Sequence, residues 1–269
     1  MQNPVGVFDS GIGGVSVLTA IRAELPSVDL IYAGDSFHLP YGEKTMGEIM
    51  TYSRGVVEFL RSKGCRLIVI ACNTASAAAL KKLREEYTDL VFVGMEPAVK
   101  PAAEQTQTGV VGVMATTATF QGELFASVVE RFANNVKVIQ QPCPGLVQQI
   151  EAGELDTPAT MQMLRGWLLP MKEQNIDRIV LGCTHYPFVR SAIRSILGDG
   201  VTIIDPAPAI AKQVRRILES RNEIPANHTG ALLWYTSGST QQFAHTLQQL
   251  TGMQPEIHGL QWDGNTLHE

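Results

Sequence analysis

The sequence predicts an α/β protein built from parallel β-sheets and the helices that connect their strands. Short β-branched runs, such as residues 5–8 (VGVF) and 66–71 (RLIVIA), alternate with segments whose apolar residues repeat at the helical period. This alternation is typical of successive βαβ units, which place their strands in parallel. The strand ends of the first half also recur in the second half, which favours two related domains. With 269 residues, the chain is long enough to form two modest cores.

Each predicted strand of the first half is followed by a predicted helix. Thr45 and Glu48 have the spacing of a capping box just before one of these helices. Farther along the chain, Pro158 follows Thr157, as expected for the first residue of a helix. The elements predicted in order are a strand at 5–8, a helix at about 15–25, a strand at 30–34, a helix at about 46–63, a strand at 66–71 and a helix from Thr74.

Three strand ends of the first half recur in the second half at nearly equal offsets, which indicates an internal duplication. Ligands of open parallel sheets bind beyond the carboxyl ends of the strands. If the halves face one another, their strand ends meet at one shared cleft. The matched positions are Asp9 and Thr116, Cys72 and Cys183, and Glu96 and Asp205.

We therefore expect two pseudo-symmetric αβα domains with a site in the cleft between them. Residues 98–207 form the second domain in this hypothesis, and residues 1–97 begin the first. The segment 208–269 fits neither repeat, but it contains a predicted strand at 231–238 and a helix after Ser239. We expect this segment to complete the sheet of the first domain.

Composition and charge disfavour several classes of partner. The chain has 21 Lys and Arg against 26 Asp and Glu, a formal charge of −5, and no basic stripe that would neutralise nucleic acid. No apolar stretch approaches the roughly 18 residues that span a bilayer, and the start MQNPVGVFDSG lacks the pattern of a signal peptide. We expect a cytoplasmic protein that binds neither nucleic acid nor membranes. The sequence leaves a homodimer open.

Two of the four cysteines are candidates for chemistry. In the reducing cytoplasm we expect all four thiols to be free. Cys65 opens a strand and Cys143 lies between two prolines, so we interpret them as a core residue and a loop residue. A single buried cysteine is usually a packing residue, but the matched positions of Cys72 and Cys183 favour a shared role.

Two opposed thiols suit the inversion of a carbon centre by proton transfer. That reaction needs a base on one face of the carbon and an acid on the other. A cysteine thiol, with an ordinary pKa of about 8.5, can serve in either role. Asp9 is a candidate helper of Cys72, and Thr184 and His185 directly follow Cys183.

The sequence disfavours a metal or an organic cofactor. Cys183 and His185 are only two residues apart and no Cys-x-x-Cys pair occurs, so the spacing of a zinc site is missing. The loop DSGIGG at 9–14 has Ser16 where a dinucleotide motif needs glycine, and it lacks the Gly-Lys-Ser/Thr ending of a P-loop. We interpret it as a tight turn whose amides, at a helix N-terminus, can bind an anion. No motif loop carries the lysine that pyridoxal phosphate requires.

Four motifs together resemble a known family. With DSGIGG at 9–14, PYG at 40–42, ACNTAS at 71–76 and GCTHYP at 182–187, the chain is similar to the cofactor-independent glutamate racemases of the aspartate/glutamate racemase superfamily. The resemblance covers nearly the whole chain. It implies an isomerase with its active site between two α/β domains, which interconverts L- and D-glutamate for peptidoglycan precursors.

The resemblance also implies roles for individual residues. Cys183 would take the α-proton from L-glutamate and Cys72 from D-glutamate, with Asp9 supporting Cys72, and His185 supporting Cys183. Glu151 is a further acid candidate. Two positions depart from the family pattern. Ala115 stands where the family usually has glycine, and His38 stands where many members have arginine. The implied substrate-binding residues are Ser10, Asp35, Ser36, Pro40, Tyr41, Gly42, Asn73, Thr74, Thr116, Thr119 and Thr184, with Asp35 and Ser36 near the substrate amine or the cleft wall.

Two alternatives remain open at the level of sequence. The first keeps the fold and the chemistry but changes the substrate to aspartate or another small acid. The second is a non-catalytic two-domain module that closes on a small acid, as hinged binding proteins do. An assay with both amino acids distinguishes the first alternative, and the absence of any turnover would favour the second.

Overall fold

The computed structural model describes residues 1, 3–133 and 135–269. Within these residues, the strands form a parallel sheet of six strands, a parallel sheet of four strands and a two-stranded antiparallel hairpin. The predicted α/β class with parallel sheets is confirmed. None of the helices in the described residues has the length and apolar character that crossing a membrane requires.

The first half supplies four strands and three helices in strict alternation. They match the predicted elements to within two residues at the boundaries that the sequence indicated. A short 3₁₀ helix at Tyr41–Glu43 lies between the second strand and the second helix. The elements are β1 (Val5–Asp9), α1 (Val15–Glu24), β2 (Leu30–Gly34), α2 (Met46–Ser62), β3 (Leu67–Ile70), α3 (Asn73–Glu86) and β4 (Val91–Gly94).

The remaining elements build the second sheet and then return to the first. A second 3₁₀ helix, at Tyr186–Val189, follows β7. The elements are α4 (Val99–Gln105), β5 (Val110–Ala115), α5 (Thr117–Gln121), α6 (Glu123–Phe132), β6 (Lys137–Pro142), α7 (Leu146–Glu151), α8 (Pro158–Glu173), β7 (Arg178–Gly182), α9 (Arg190–Leu197), β8 (Thr202–Ile204), α10 (Ala207–Ser220), β9 (Leu232–Thr236), α11 (Thr240–Thr251), β10 (Ile257–Gly259), β11 (Gln261–Asp263) and β12 (Thr266–His268).

The two sheets share one strand order. The first sheet runs β10-β9-β2-β1-β3-β4 and the second runs β6-β5-β7-β8. In each half, the first strand therefore lies between the second and the third, and the fourth follows the third. All these neighbours pair in parallel. The similarity of the strand ends seen in the sequence thus corresponds to a similarity of topology.

Both faces of each sheet are covered by helices, which explains why the central strands are apolar along their whole length. All five residues of β1 are buried. Successive side chains point to opposite faces, so Val7 packs in the core beside α1 and α10, and Phe8 packs in the core beside α2 and α3. In β5, the successive residues Val113 and Met114 likewise pack in two different cores.

The C-terminal segment contributes to the first sheet and then packs outside it. Strand β9 pairs with β2, with Leu232 opposite Leu30, and β10 pairs with β9. The hairpin β11–β12 lies against α2. A Cβ atom added at Gly55 would lie only 2.4 Å from the ring of Trp262, so the hairpin packs directly on the backbone of this helix.

The capping box predicted at the start of α2 is present. The Glu48 amide donates to Thr45 Oγ1 over 3.3 Å, and the Thr45 amide donates to Glu48 Oε2 over 2.8 Å. At α8, Pro158 occupies the first turn as predicted, and the Thr157 side chain accepts a bond from the amide of Thr160. The local sequence therefore determines where these helices begin.

Replacing Thr45 by Ala should lower the free energy of unfolding by about 1 kcal/mol, because the helix N-terminus loses its capping acceptor. Chemical denaturation measures the change. Thr51→Ala is a matched control in the same helix, since the Thr51 hydroxyl donates to the Gly47 carbonyl within the helix and alanine is the better helix former. Equal losses in both variants would contradict the capping interpretation.

Candidate active site

A small cavity lies where the strand ends of the two sheets meet. Only ≈ 10 Å³ of it is open to the centres of water molecules, about the space that one water needs. The cavity is therefore closed in this structure. Its lining consists of Asp9, Ser10, Pro40, Tyr41, Gly42, Cys72, Asn73, Thr74, Thr116, Val147, Cys183, Thr184 and His185.

Cys72 reaches this cavity from the first sheet. It follows β3 and is the N-cap of α3, where its Sγ accepts a bond of 3.4 Å from the amide of Ala75. Its thiol also approaches Ser10 Oγ at 3.9 Å. Burial, and next the negative charge of Asp9, raise the pKa of the Cys72 thiol well above its ordinary value. In the closed cavity this residue therefore holds its proton.

Cys183 reaches the same cavity from the second sheet. It directly follows β7, is only 7% exposed, and its Sγ lies 3.7 Å from Nδ1 of His185. The two sulfurs therefore line one cavity, each at the end of the third strand of its half. A shared cavity is one of the features that the two-thiol hypothesis requires.

A buried chain of contacts extends from Cys183 across the cleft. His185 Nε2 lies 2.7 Å from Glu151 Oε1, and the same oxygen accepts a 2.8 Å bond from the amide of Ile12 in the other half. Burial by itself lowers the pKa of His185, but its hydrogen bonds with Cys183 and Glu151 outweigh burial and raise that pKa well above the ordinary value. The imidazole therefore favours the protonated form.

The glycines of the DSGIGG loop are needed for close approach. The predicted turn is present, with the Ile12 carbonyl accepting a 3.0 Å bond from the Val15 amide, but neither Gly11 nor Gly13 has a positive φ. A Cβ atom at Gly11 would lie 2.1 Å from Glu151 Oε1, and one at Gly13 would lie 2.3 Å from His185 Nδ1. The expected interaction of a loop amide with an anion is present, but the anion is the Glu151 carboxylate of the protein itself, bound by Ile12.

Asp9 connects the strand ends of the two sheets. Its Oδ1 accepts bonds from the amide and the hydroxyl of Ser10, at 2.6 and 3.1 Å. Its Oδ2 accepts a 2.8 Å bond from the Thr184 hydroxyl, which belongs to the other half. Burial raises the pKa of Asp9, although His185, Thr184 and the Ser10 amide oppose this increase.

Threonine hydroxyls and the Asn73 side-chain amide supply further polar groups at the cavity. Thr74 and Thr116, from different halves, are 2.9 Å apart between their Oγ1 atoms, and Thr119 lies 2.9 Å from Thr116 and 3.3 Å from Thr74. The side-chain oxygen and nitrogen of Asn73 are buried and have no hydrogen-bond partner among the residues that the structure describes. Unpaired buried amide atoms are costly, so these atoms are well suited to bind a polar ligand.

Four predicted site residues lie behind the cavity lining. Thr119 and Glu151 contact lining residues through the bonds given above. Asp35 accepts a 2.7 Å bond from the Tyr41 hydroxyl, and Ser36 Oγ lies 3.1 Å from the Thr236 hydroxyl. Asp35 thus supports the lining through Tyr41, whereas the Ser36 hydroxyl bonds with β9 of the first sheet.

The two departures from the family pattern are accommodated locally. Ala115 is buried at the end of β5. His38 stacks on Tyr52 with ring centroids 3.6 Å apart, and its Nδ1 lies 2.9 Å from Asp35 Oδ2. His38 does not line the cavity.

Sequence reasoning missed several residues that shape the site. Val147 of α7 is the apolar part of the lining, and no sequence signal distinguishes it from a core residue. The Tyr32 hydroxyl donates to the Gly11 carbonyl at 2.7 Å, and the Ser16 hydroxyl donates to the Thr184 carbonyl at 2.9 Å. Ser16, which excluded the dinucleotide motif, thus connects the two halves.

The other two cysteines are buried and do not line this cavity, although Cys143 packs in the same core as Cys183. Cys65 is in the core beside α2, where burial raises its pKa to about 12. Cys143 lies in the loop after β6, and its thiol donates to the Gln141 carbonyl. Among the described residues, no three His, Cys, Asp or Glu side chains are grouped so that they could hold a metal ion.

The fold and the site define a class: α/β proteins with two parallel sheets of equivalent topology and one thiol from each in a common cavity. The Asp/Glu/hydantoin racemase family matches residues 14–214. The chain belongs to this family, as its four motifs predicted.

Comparisons with individual proteins agree with this assignment. A glutamate racemase of Ectopseudomonas mendocina (strain ymp) is 47% identical over 96% of this chain and 98% of its own length. One from Roseiflexus sp. (strain RS-1) is 46% identical over 92% of both chains. The crystal structure of the glutamate racemase isoform RacE1 from Bacillus anthracis has a TM-score of 0.89 at 32% identity and covers 98% of this chain and 99% of its own. The crystal structure of the glutamate racemase from Francisella tularensis subsp. tularensis SCHU S4 in complex with D-glutamate has a TM-score of 0.85 at 27% identity. It covers 96% of this chain and 98% of its own.

Replacing Gly13 by Ala should lower the free energy of unfolding by about 1–3 kcal/mol, the usual cost of overpacking, because the methyl group would overlap the His185 ring. Gly47→Ala is the matched control. Gly47 lies in α2 with nothing within 4 Å of an added Cβ, so this change should stabilise the helix by up to about 1 kcal/mol. Chemical denaturation measures both, and a neutral Gly13→Ala would contradict the close-approach interpretation.

Glu151→Gln keeps the shape of the side chain but removes its negative charge, so the pKa of His185 should fall toward its ordinary value of about 6.5. The charged pair stabilises the fold below about pH 6.5, and this contribution is lost as the pH rises through the raised pKa of His185. The difference in unfolding free energy between wild type and variant should therefore shrink with increasing pH. NMR titration of the imidazole and denaturation at several pH values measure these effects. A difference that is constant with pH would argue against the pair.

Proposed function

We propose that this protein is a glutamate racemase that interconverts L- and D-glutamate by proton transfer at the α-carbon. The observation that carries the proposal is that Cys72 and Cys183 line one closed cavity from the strand ends of different sheets. Relatives named as glutamate racemases, at 47% identity over nearly the whole chain, support glutamate as the substrate. The proposed reaction uses no metal and no organic cofactor.

In the proposed direction from L- to D-glutamate, the Cys183 thiolate removes the α-proton. A protonated His185 beside Sγ supports this role because a neighbouring cation stabilises a thiolate. Glu151 in turn holds the imidazole by its far nitrogen, 2.7 Å away. The electron pair of the broken C–H bond stays on the substrate as a carbanion until it is protonated on the other face.

Cys72 then donates its proton to the opposite face of the α-carbon. The raised pKa of its thiol supports this role, since burial and Asp9 keep the proton on sulfur before the reaction. The reverse direction exchanges the two roles, with Cys72 as base and Cys183 as acid. The bond from the Ala75 amide and the N-terminus of α3 stabilise the Cys72 thiolate in that direction.

Substrate carboxylates are bound in this proposal by hydroxyls and amides. Among the residues that line the cavity, none is lysine or arginine. The unpaired amide of Asn73 and the hydroxyls of Ser10, Thr74, Thr116 and Thr184 are the available groups. The N-termini of helices add backbone N–H donors that favour an anion.

We also propose that the substrate enters when two domains move apart. The closed cavity has room for about one water, so glutamate requires an opening. Residues 1–97 with 208–269 carry the first sheet, and residues 98–207 carry the second. These ranges are the proposed domains, and the chain crosses between them only near residues 97 and 207.

The cellular role in this proposal is the supply of D-glutamate for peptidoglycan in the cytoplasm. In this role the protein acts on a free small-molecule substrate and binds neither nucleic acid nor a membrane. A homodimer remains a proposal for the assembly, which sedimentation of the purified protein tests.

Purified protein incubated with either glutamate enantiomer in heavy water should yield the antipode with deuterium at the α-carbon. Replacing Cys72 or Cys183 by Ser should lower racemisation roughly 10²–10⁴-fold, the usual contribution of a positioned acid or base. Cys72→Ser should still exchange deuterium into L-glutamate, and Cys183→Ser into D-glutamate, because each retains one base. Chiral chromatography with mass spectrometry measures both reactions.

Cys65→Ala is the control, since that thiol lies in the core away from the cavity and its variant should keep racemase activity. Exchange of the same enantiomer by both serine variants would contradict the assignment of one thiol to each face. Preferential inversion of aspartate in a parallel assay would change the proposed substrate. Binding of glutamate without inversion or exchange would favour a binding module over an enzyme.

A further inference from the structure

A fully buried carboxylate lies directly behind the cavity, where it bonds with three separate segments of the chain. Asp35 is 1% exposed. Its Oδ2 accepts a 2.7 Å bond from the Tyr41 hydroxyl and lies 2.9 Å from Nδ1 of His38. Its Oδ1 accepts bonds from Ser237 Oγ at 2.6 Å and from Trp262 Nε1 at 2.8 Å. Both oxygens thus have two partners each.

This bonding pattern excludes a direct contact between Asp35 and the substrate. A carboxylate has about four acceptor positions, and protein groups occupy all of them here. The residue also lies outside the cavity lining. Any effect of Asp35 on the reaction must therefore pass through a residue that it holds.

Tyr41 is that residue. It is 1% exposed, it lines the cavity beside Pro40 and Gly42, and its hydroxyl points away from the cavity toward Asp35. Because the ring is held at its far end, the bond to Asp35 determines where the start of the 3₁₀ helix at Tyr41–Glu43 lies. The position of one cavity wall thus depends on this carboxylate.

Trp262 brings the C-terminal hairpin β11–β12 into the same network. Its indole ring packs on the backbone of α2 at Gly55, and its ring centroid is 4.9 Å from that of His38 and 6.1 Å from that of Tyr52. These contacts orient the indole N–H toward Asp35. The hairpin adds no strand to either parallel sheet, so this contact is a distinct link between the hairpin and the cavity wall.

We propose that Trp262 is a positioning residue for the racemase reaction, which acts through Asp35 to hold Tyr41 at the cavity wall before substrate binds. The proposal rests on the proposed function. Without the indole donor, Asp35 and Tyr41 lose part of their orientation, and substrate binding must restore it. The loss therefore weakens substrate binding more than it slows proton transfer at the two sulfurs.

Trp262→Phe keeps an aromatic ring against α2 and removes the N–H. We expect it to raise KM for both glutamate enantiomers roughly threefold to tenfold while kcat stays within about twofold, since the lost interaction affects ground-state and transition-state binding alike. Tyr41→Phe should raise KM in the same way. In the double variant, Trp262→Phe should add little to Tyr41→Phe, because its effect passes through the missing hydroxyl.

Trp167→Phe is the matched control, since Trp167 of α8 is a partly buried tryptophan packed against a core of the second sheet. It should leave KM unchanged. Gly55→Ala provides an independent test if Trp262→Phe does not fold, because the added methyl would displace the indole and should raise KM similarly.

Wild-type KM in Trp262→Phe, with only a lower melting temperature, would show a merely structural role and overturn the proposal. If the effects of Trp262→Phe and Tyr41→Phe on KM multiply in the double variant, the two residues act independently, and this result would overturn the proposal as well. A wild-type enzyme that fails to racemise glutamate would refute the proposed function instead, so the two failures are distinguishable.

Discussion

The close approach of the two halves at the DSGIGG loop is the constraint on which the site depends. Gly11 and Gly13 have no side chain, so Glu151 and His185 of the other half can lie against the loop backbone. The Ile12 amide then reaches the Glu151 carboxylate at 2.8 Å. If the halves were farther apart, this bond would be lost and water would enter the space between the sulfurs.

Burial at this junction produces the electrostatic asymmetry of the cavity. Burial and the charge of Asp9 raise the pKa of the Cys72 thiol, whereas Cys183 lies beside His185, whose pKa is raised, against the effect of burial, by its hydrogen bonds with Cys183 and Glu151. In a low-dielectric interior such interactions are stronger than in water. The two thiols therefore have different electrostatic surroundings within one cavity.

Much of the fold follows from local sequence. The apolar runs of β1 and β3 and the helical period of α1 and α2 predicted the elements, and the Thr45 capping box placed the start of α2. The duplicated strand ends also indicated an internal duplication, and the two sheets share one strand order. Candidate site residues at these strand ends, such as Cys72, were identifiable for the same reason. A parallel strand delivers its C-terminal side chain to a predictable edge of the sheet.

Contacts between segments distant in sequence could not be predicted in this way. The turn of the glycine loop was predicted, but only the folded chain brings Glu151 within 2.1 Å of a Cβ atom at Gly11. Likewise, Asp35 was expected near the substrate amine or the cleft wall, but the sequence did not indicate that bonds from distant segments such as Trp262 would fill its acceptor positions there. The sequence by itself determined the elements, the strand ends and the pair of thiols, since these depend on periodicity and short-range chemistry. Asp9 and His185 were already candidates beside the thiols, but tertiary structure alone decided how these groups are held and which residues support the wall, because burial and hydrogen bonding there depend on packing between halves.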